Sequence, residues 1–247
     1  MSARTLQELV VLAHHGCAFV DVILAGDSIT AAERACFAAI DPRAFRGDVE
    51  RQHRLVAAVI EELPVTCAVA GLDAVYALFH DVEGFGAVVR RRLPVVVHFA
   101  ARLEAVAGDV ARIEGGVARA RRRRPRGGGF VRAAGVEVIE VGEHAVHHWQ
   151  QQRASLGDRP IDVVGSGRRL PRDADDRARV QVLIEPSDGS FALANCSAAL
   201  AGLLRALEAP TSDAHAVAVA REHGCDDDDE ARGLLNDLMV DGLLSHV

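Results

Sequence analysis

Eleven histidines, five cysteines and a run of aspartates are the side chains with which this chain could hold a metal or catalyse a reaction. His144 and His148 stand four residues apart, the spacing that puts two imidazoles on one helical face in zinc sites. The accompanying glutamate is misplaced for that chemistry: Glu143 precedes His144, and HExxH is absent. His14-His15 and His147-His148 are adjacent pairs that point to different faces of a helix, so neither converges on one ion. Cys17, Cys36, Cys67, Cys196 and Cys225 are scattered, with no CxxC pair. They read as buried thiols in a reducing compartment, not as a zinc knuckle or a disulfide framework. Asp226 to Asp229 are consecutive and lack the alternate-position spacing of a calcium loop. The chain by itself is therefore expected to carry no iron, zinc or copper and no other cofactor.

Nucleophilic and phosphate chemistry fares no better. All 28 basic residues are arginine. Without a lysine there is no Schiff base, no P-loop ammonium and no Ser–Lys dyad. No GxSxG occurs, and Gly165-Ser166-Gly167-Arg168 only superficially resembles one. Neither that stretch nor Gly127–Gly129 completes a nucleotide-binding fingerprint. The run from Arg121 to Arg126 has no interleaved aromatics and lies on an acidic protein, so it reads as a solvated helix end and linker. No catalytic residue is assigned.

The elements that would position any site fall into two halves. Residues 1–126 carry helical periodicity. Leu6, Leu9, Val10, Ala13, Cys17 and Val20 form one stripe, and Leu55, Val56, Val59, Ile60 and Leu63 form another that stops before Pro64. Thr30 and Glu33 have capping-box spacing, and Asp41-Pro42 is a second helix start. Further helical patterns cover 71–80, 86–93, 95–107 and 109–122. After the basic, glycine-rich linker, β-branched alternation appears at Val136–Val141, Ile161–Val164 and Val180–Ile184. Glu185 to Gly189 is a turn into a strand over Phe191–Leu193, and three helices follow, the last opening in the acidic run 226–230. The expected fold is α+β: an N-terminal helical bundle over 1–126, then a small β-sheet plus three helices, winged-helix-like, over 127–247. Residues 1–129 carry a net charge of +2 and residues 130–247 a net of −9. No apolar run approaches the roughly 18 residues of a membrane span, and residues 5–25 show no cleavable signal. A cytoplasmic protein with no membrane partner is expected.

A winged helix binds DNA when a basic third helix enters the major groove. Here that helix has Arg232 as its only basic residue among several acids, so its field repels phosphate. The same layout can take up an extended peptide as an added strand.

Two resemblances follow from these residues. The stretch from Arg179 to Leu244, with its Val180–Phe191 hairpin, "FALANCSAALAGLLRAL" and "ARGLLNDLMVDGLL", resembles the peptide-chaperone domain of the pyrroloquinoline quinone pathway, a precursor-peptide recognition element. The segments "FRGDVERQHRLVAAVIEELPVTCAVAGLDAVYALF" and "LPVVVHFAARLEAVAGDVAR", over about residues 35–112, are similar to the partner proteins of multinuclear non-haem iron-dependent oxidative enzymes. The partners of methanobactin and thiaglutamate biosynthesis belong to that group. The matching features are Arg46, Arg51 and Arg54, then Pro64-Val65-Thr66 and Gly71, then Ala101-Arg102-Leu103-Glu104. The chain departs from the family pattern at Ala105, where a tryptophan is usual. The β-like segment 130–175 is covered by neither resemblance.

The resemblance implies a division of labour. A partner oxidase holds the iron and oxidises cysteines of a ribosomally made peptide, while this chain binds the peptide leader and forms a heterodimer with the enzyme. Arg46, Arg51, Arg54 and Arg102 would face the enzyme. The leader would add beside Phe191, Ala192 and Leu193, with Leu234, Leu235, Leu238 and Met239 opposite and some of these four in the core. A proline at Ala192 is the expected way to block it. Two other classes stay open: a winged-helix DNA-binding regulator, and a free-standing metal enzyme using the scattered histidines.

Overall fold

A computed structural model of the chain describes residues 25, 29–39, 49–125, 127–172 and 178–246. The fold is α+β. It divides into two compact units, one of residues 1–107 with 152–172 and the other of residues 108–151 with 173–247. The sequence boundary at 126/127 matches neither edge, because the helix at 109–122 belongs to the second unit and 152–172 returns to the first. The stripe at 6–20 and the Asp41-Pro42 start lie outside the described residues.

The first unit is helical. Helix α1 (Ala31–Ala38) opens on the expected capping box. The Thr30 hydroxyl accepts the Glu33 N–H at 3.3 Å, and the Glu33 carboxylate accepts the Thr30 N–H at 2.8 Å. Helix α2 (Val49–Glu62) ends before Pro64, as its stripe required. The Pro-Val-Thr segment is itself a helix, α3 (Pro64–Ala70), with proline in its first turn, where the absent N–H has no intrahelical partner to lose. All seven of its residues are buried. It packs against α2, α4 (Leu72–His80), α6 (Val95–Ala107) and α9 (Pro160–Gly165), and so forms the centre of the unit. Helix α5 (Val82–Arg91) packs on α4. Phe79, Phe85 and Phe99 meet edge to face, with ring centres 4.8–6.2 Å apart. Burying each such ring contributes roughly 1.5–3 kcal/mol.

Helix α9 corrects the strand expected at Ile161–Val164. Three β-branched residues are too few to fix a period, and Pro160 at the first helical position with Asp162 in the first turn favours a helix start. The Leu170 N–H then donates to the Ala68 carbonyl at 3.0 Å, tying the following segment to α3.

The second unit is a sheet covered on both faces. Strands β2 (Glu137–Gly142), β3 (Arg179–Ser187) and β4 (Ser190–Cys196) form an antiparallel sheet in that order, while β1 (Phe130–Arg132) pairs with β5 (Leu244–His246). Part of the unplaced segment 130–175 thus completes the sheet through β2. The β3–β4 turn has φ 37° at Asp188 and 79° at Gly189, the two left-handed positions of a tight hairpin turn. Alternation sorts the side chains. Ile139, Val141, Val182 and Ile184 face α7 (Asp109–Arg122) and α8 (Ala145–Leu156). Val138 and Leu183 face α10 (Ala198–Ala206), α11 (Asp213–Glu222) and α12 (Asp228–Val240). Helix α7 meets the sheet at Gly116, where an added Cβ would stand 2.7 Å from Ile184 and 2.9 Å from Ile139. Glycine is what allows that approach. No helix among the described residues is long and apolar enough to cross a membrane.

Candidate functional site

Strand β4 is the edge of its sheet: β3 lies on one side, and among the described residues no strand lies on the other. The two-residue turn makes Ser187 and Ser190 the closing hydrogen-bonded pair. Counting along the register, hydrogen-bonded pairs recur at Glu185–Ala192, Leu183–Ala194 and Gln181–Cys196. The backbone groups of Phe191, Leu193 and Asn195 therefore point outward to the open edge. Pro186 fits this count, since it lacks an N–H and sits opposite Phe191 in a pair that needs none.

The count changes the choice of probe. Ala192 spends its N–H on Glu185, so a proline there would break the hairpin itself. Asn195 is exposed and directs its N–H outward. Phe191 and Leu193 are half-buried on the α7 face, and the Arg121 guanidinium carbon lies 5.6 Å from the Phe191 ring centre. Ala192 points to the opposite face of the sheet.

On α12, Leu235 and Leu238 are 1% and 5% exposed and belong to the core. Leu234 and Met239 are half-buried and keep an accessible face. Val240 is 86% exposed. The helix is capped by Asp227, whose carboxylate accepts the Asp229 and Glu230 N–H groups, both at 2.9 Å. Arg232 is drawn into pairs with Asp229 at 3.0 Å and Asp228 at 3.9 Å. What α12 presents to solvent is acidic.

Of the arginines assigned to the enzyme, Arg46 lies outside the described residues, as does the side chain of Arg51, whose backbone is in α2. Arg54 is exposed on α2. Arg102 pairs with Asp81 at 2.8 Å, and Asp81 also accepts the Gly84 N–H at 2.9 Å to cap α5. Arg102 thereby ties α6 to the start of α5 as well as offering charge. His144 and His148 flank and enter α8, beside Trp149, whose indole N–H donates to the buried Glu114 at 3.2 Å. Among the described residues no three His, Cys, Asp or Glu side chains gather as a metal site.

The sequence reading missed a buried ion network in the second unit. Arg132 in β1 is 1% exposed. It reaches Glu137 at 3.3 Å and Glu208 at 3.4 Å. Arg123 reaches the same two carboxylates at 3.5 and 2.8 Å. Burial pushes the Arg132 guanidinium below its ordinary value, with the charge of Glu137 opposing. The hint in the sequence was the pair Arg132 and Glu137 inside the otherwise apolar stretch Phe130–Val138. Glu208 is held below its ordinary 4.5, chiefly by the hydrogen bond from Arg123, with burial opposing and the charge of Arg132 adding to the effect. A lowered folded value means that stabilisation is present at neutral pH and lost as pH falls through that value. Glu208→Gln is expected to lower stability by about 1 kcal/mol at neutral pH, a figure kept small because the carboxylate is 65% exposed. Urea midpoints should show the gap from wild type narrowing as pH drops below 4.5.

Compared with models of known protein families and with curated proteins, the chain matches none.

Proposed function

We propose that this chain is a non-catalytic partner subunit that binds the leader of a ribosomally made precursor peptide and presents it to a multinuclear non-haem iron oxidase acting on peptide cysteine. The observation that carries the reading is the open edge of β4, which leads directly into three helices. An extended peptide can add to such an edge through main-chain hydrogen bonds, with side-chain selectivity supplied by the flanking helices. Leu234 and Met239 offer apolar surface for that purpose, while Leu235 and Leu238 support them from the core. A winged-helix reading would also admit DNA, yet the acidic surface of α12 disfavours a duplex backbone. Nothing in the site favours the DNA-regulator reading. Iron would belong to the enzyme and not to this chain.

Co-expression with a multinuclear non-haem iron oxidase of the proposed class, followed by size exclusion and elemental analysis, tests the pairing. The expected result is one co-eluting heterodimer whose iron stays with the enzyme when the subunits are separated. Two independently eluting monomers at micromolar concentration would remove the partner reading. Iron that stays with this chain would favour the free-standing metal enzyme.

A further inference from the structure

The first unit contains a cavity of about 220 Å³ that none of the preceding roles uses. One wall is the α3–α4 junction from Cys67 to Asp73, and the other is the segment after α9 that ends in Arg168 and Arg169. Two arginines and one aspartate are among its lining residues, which gives the lining a net positive charge. The carboxylate competes weakly: Asp73 is 96% exposed and stands 3.7 Å from Arg169, an ion pair largely screened by water. Arg168 has no hydrogen-bond or ion-pair partner among the described residues.

Arg169 lies against Gly71, where an added Cβ would be 2.7 Å from its guanidinium. Any side chain at 71 would push that group out of the wall. Gly71 is also the N-cap of α4 and offers no capping side chain. The N-terminal residues of α4, Gly71 to Asp73, line the same cavity, so the positive end of the helix dipole borders it. The volume decides the ligand's size. It falls below the roughly 300–1,000 Å³ of sites for drug-sized molecules, so a nucleotide is excluded, while a single phosphate or a small carboxylate fits. Paired guanidiniums match the geometry of both oxyanions.

We propose that this cavity binds a small oxyanion, a phosphate or carboxylate group, through Arg168 and Arg169.

Calorimetric titration of the full chain, in chloride buffer at constant ionic strength, tests it with two probes, inorganic phosphate and acetate. At least one should give a one-site isotherm. Phosphate alone would assign the site to a phosphoryl group, and acetate to a carboxylate such as an acidic side chain or chain end. Arg168→Ala should weaken binding at least about tenfold, the scale of losing charge-assisted hydrogen bonds. Arg169→Ala should do the same. Arg159→Ala, which alters an exposed arginine paired with Asp162, should leave affinity unchanged. All three positions are exposed, so unchanged unfolding midpoints are expected alongside. Absence of heat with both anions, or wild-type affinity in Arg168→Ala, would overturn the proposal.

Discussion

Glu137→Leu is expected to destabilise the second unit by about 3 kcal/mol, the scale of stranding one member of a buried ion pair. Glu137 is 6% exposed and is one of the two carboxylates that neutralise Arg132. The other, Glu208, is mostly in water and is shared with Arg123. Removing Glu137 leaves a guanidinium with almost no access to solvent and only part of a counter-charge. The reciprocal change, Arg132→Met, should cost less, because Glu137 keeps Arg123 at 3.5 Å and Arg119 at 3.8 Å. The double variant Arg132→Met/Glu137→Leu should recover most of the loss, since apolar groups of similar volume often replace a buried pair at little cost. Urea unfolding followed by circular dichroism measures all three. A Glu137→Leu loss below about 1 kcal/mol would show that Arg132 finds other compensation, and the network would then carry no special stability.

On the proposed reading, Asn195→Pro is expected to weaken leader binding at least tenfold while the protein stays folded and still pairs with the partner enzyme. The reason lies in the register. Proline at 195 removes an outward N–H and places a ring against the edge where the peptide would pair, and the β3–β4 ladder loses nothing. Ala192→Pro should behave differently, because it deletes the bond to Glu185 and loosens the hairpin, so binding and stability would fall together. Fluorescence anisotropy with a labelled leader peptide separates the two. If the Asn195 variant binds as tightly as wild type, the peptide lies elsewhere.

The helix at 31–38, the hairpin at 179–196 and the last three helices were readable in the sequence because each carries its own local instruction. These are a capping box, an Asp-Gly turn flanked by alternating residues, and an acidic helix start. Residues 161–164 misled because three β-branched residues suit a short strand or a short helix, and packing against α2 and α3 decides between them. The helix at 64–70 was hidden because it is buried on every side and has no amphipathic period to detect. Of the proposed site, Phe191 to Leu193 could be placed on a strand. That the strand is an edge, and that Ala192 turns inward, depends on pairing with β3, which no single residue states. Arg132 was invisible for the same reason: its partners lie 5 and 76 positions away, and only the folded chain brings them together.

The path of the chain between its two units has a consequence for gene architecture. The first unit reclaims residues 152–172 after the chain has already begun the second. A cut at the glycine-rich stretch would strip the second unit of α7, which supplies Ile113 and Ala120 to its sheet. It would also strip the first unit of α9. Neither piece can then be inherited, fused or exchanged as a cassette by one recombination event. A binding unit that stands alone can migrate between genes as a module; the second unit here is woven in, and any change in what it binds has to come by substitution within the chain.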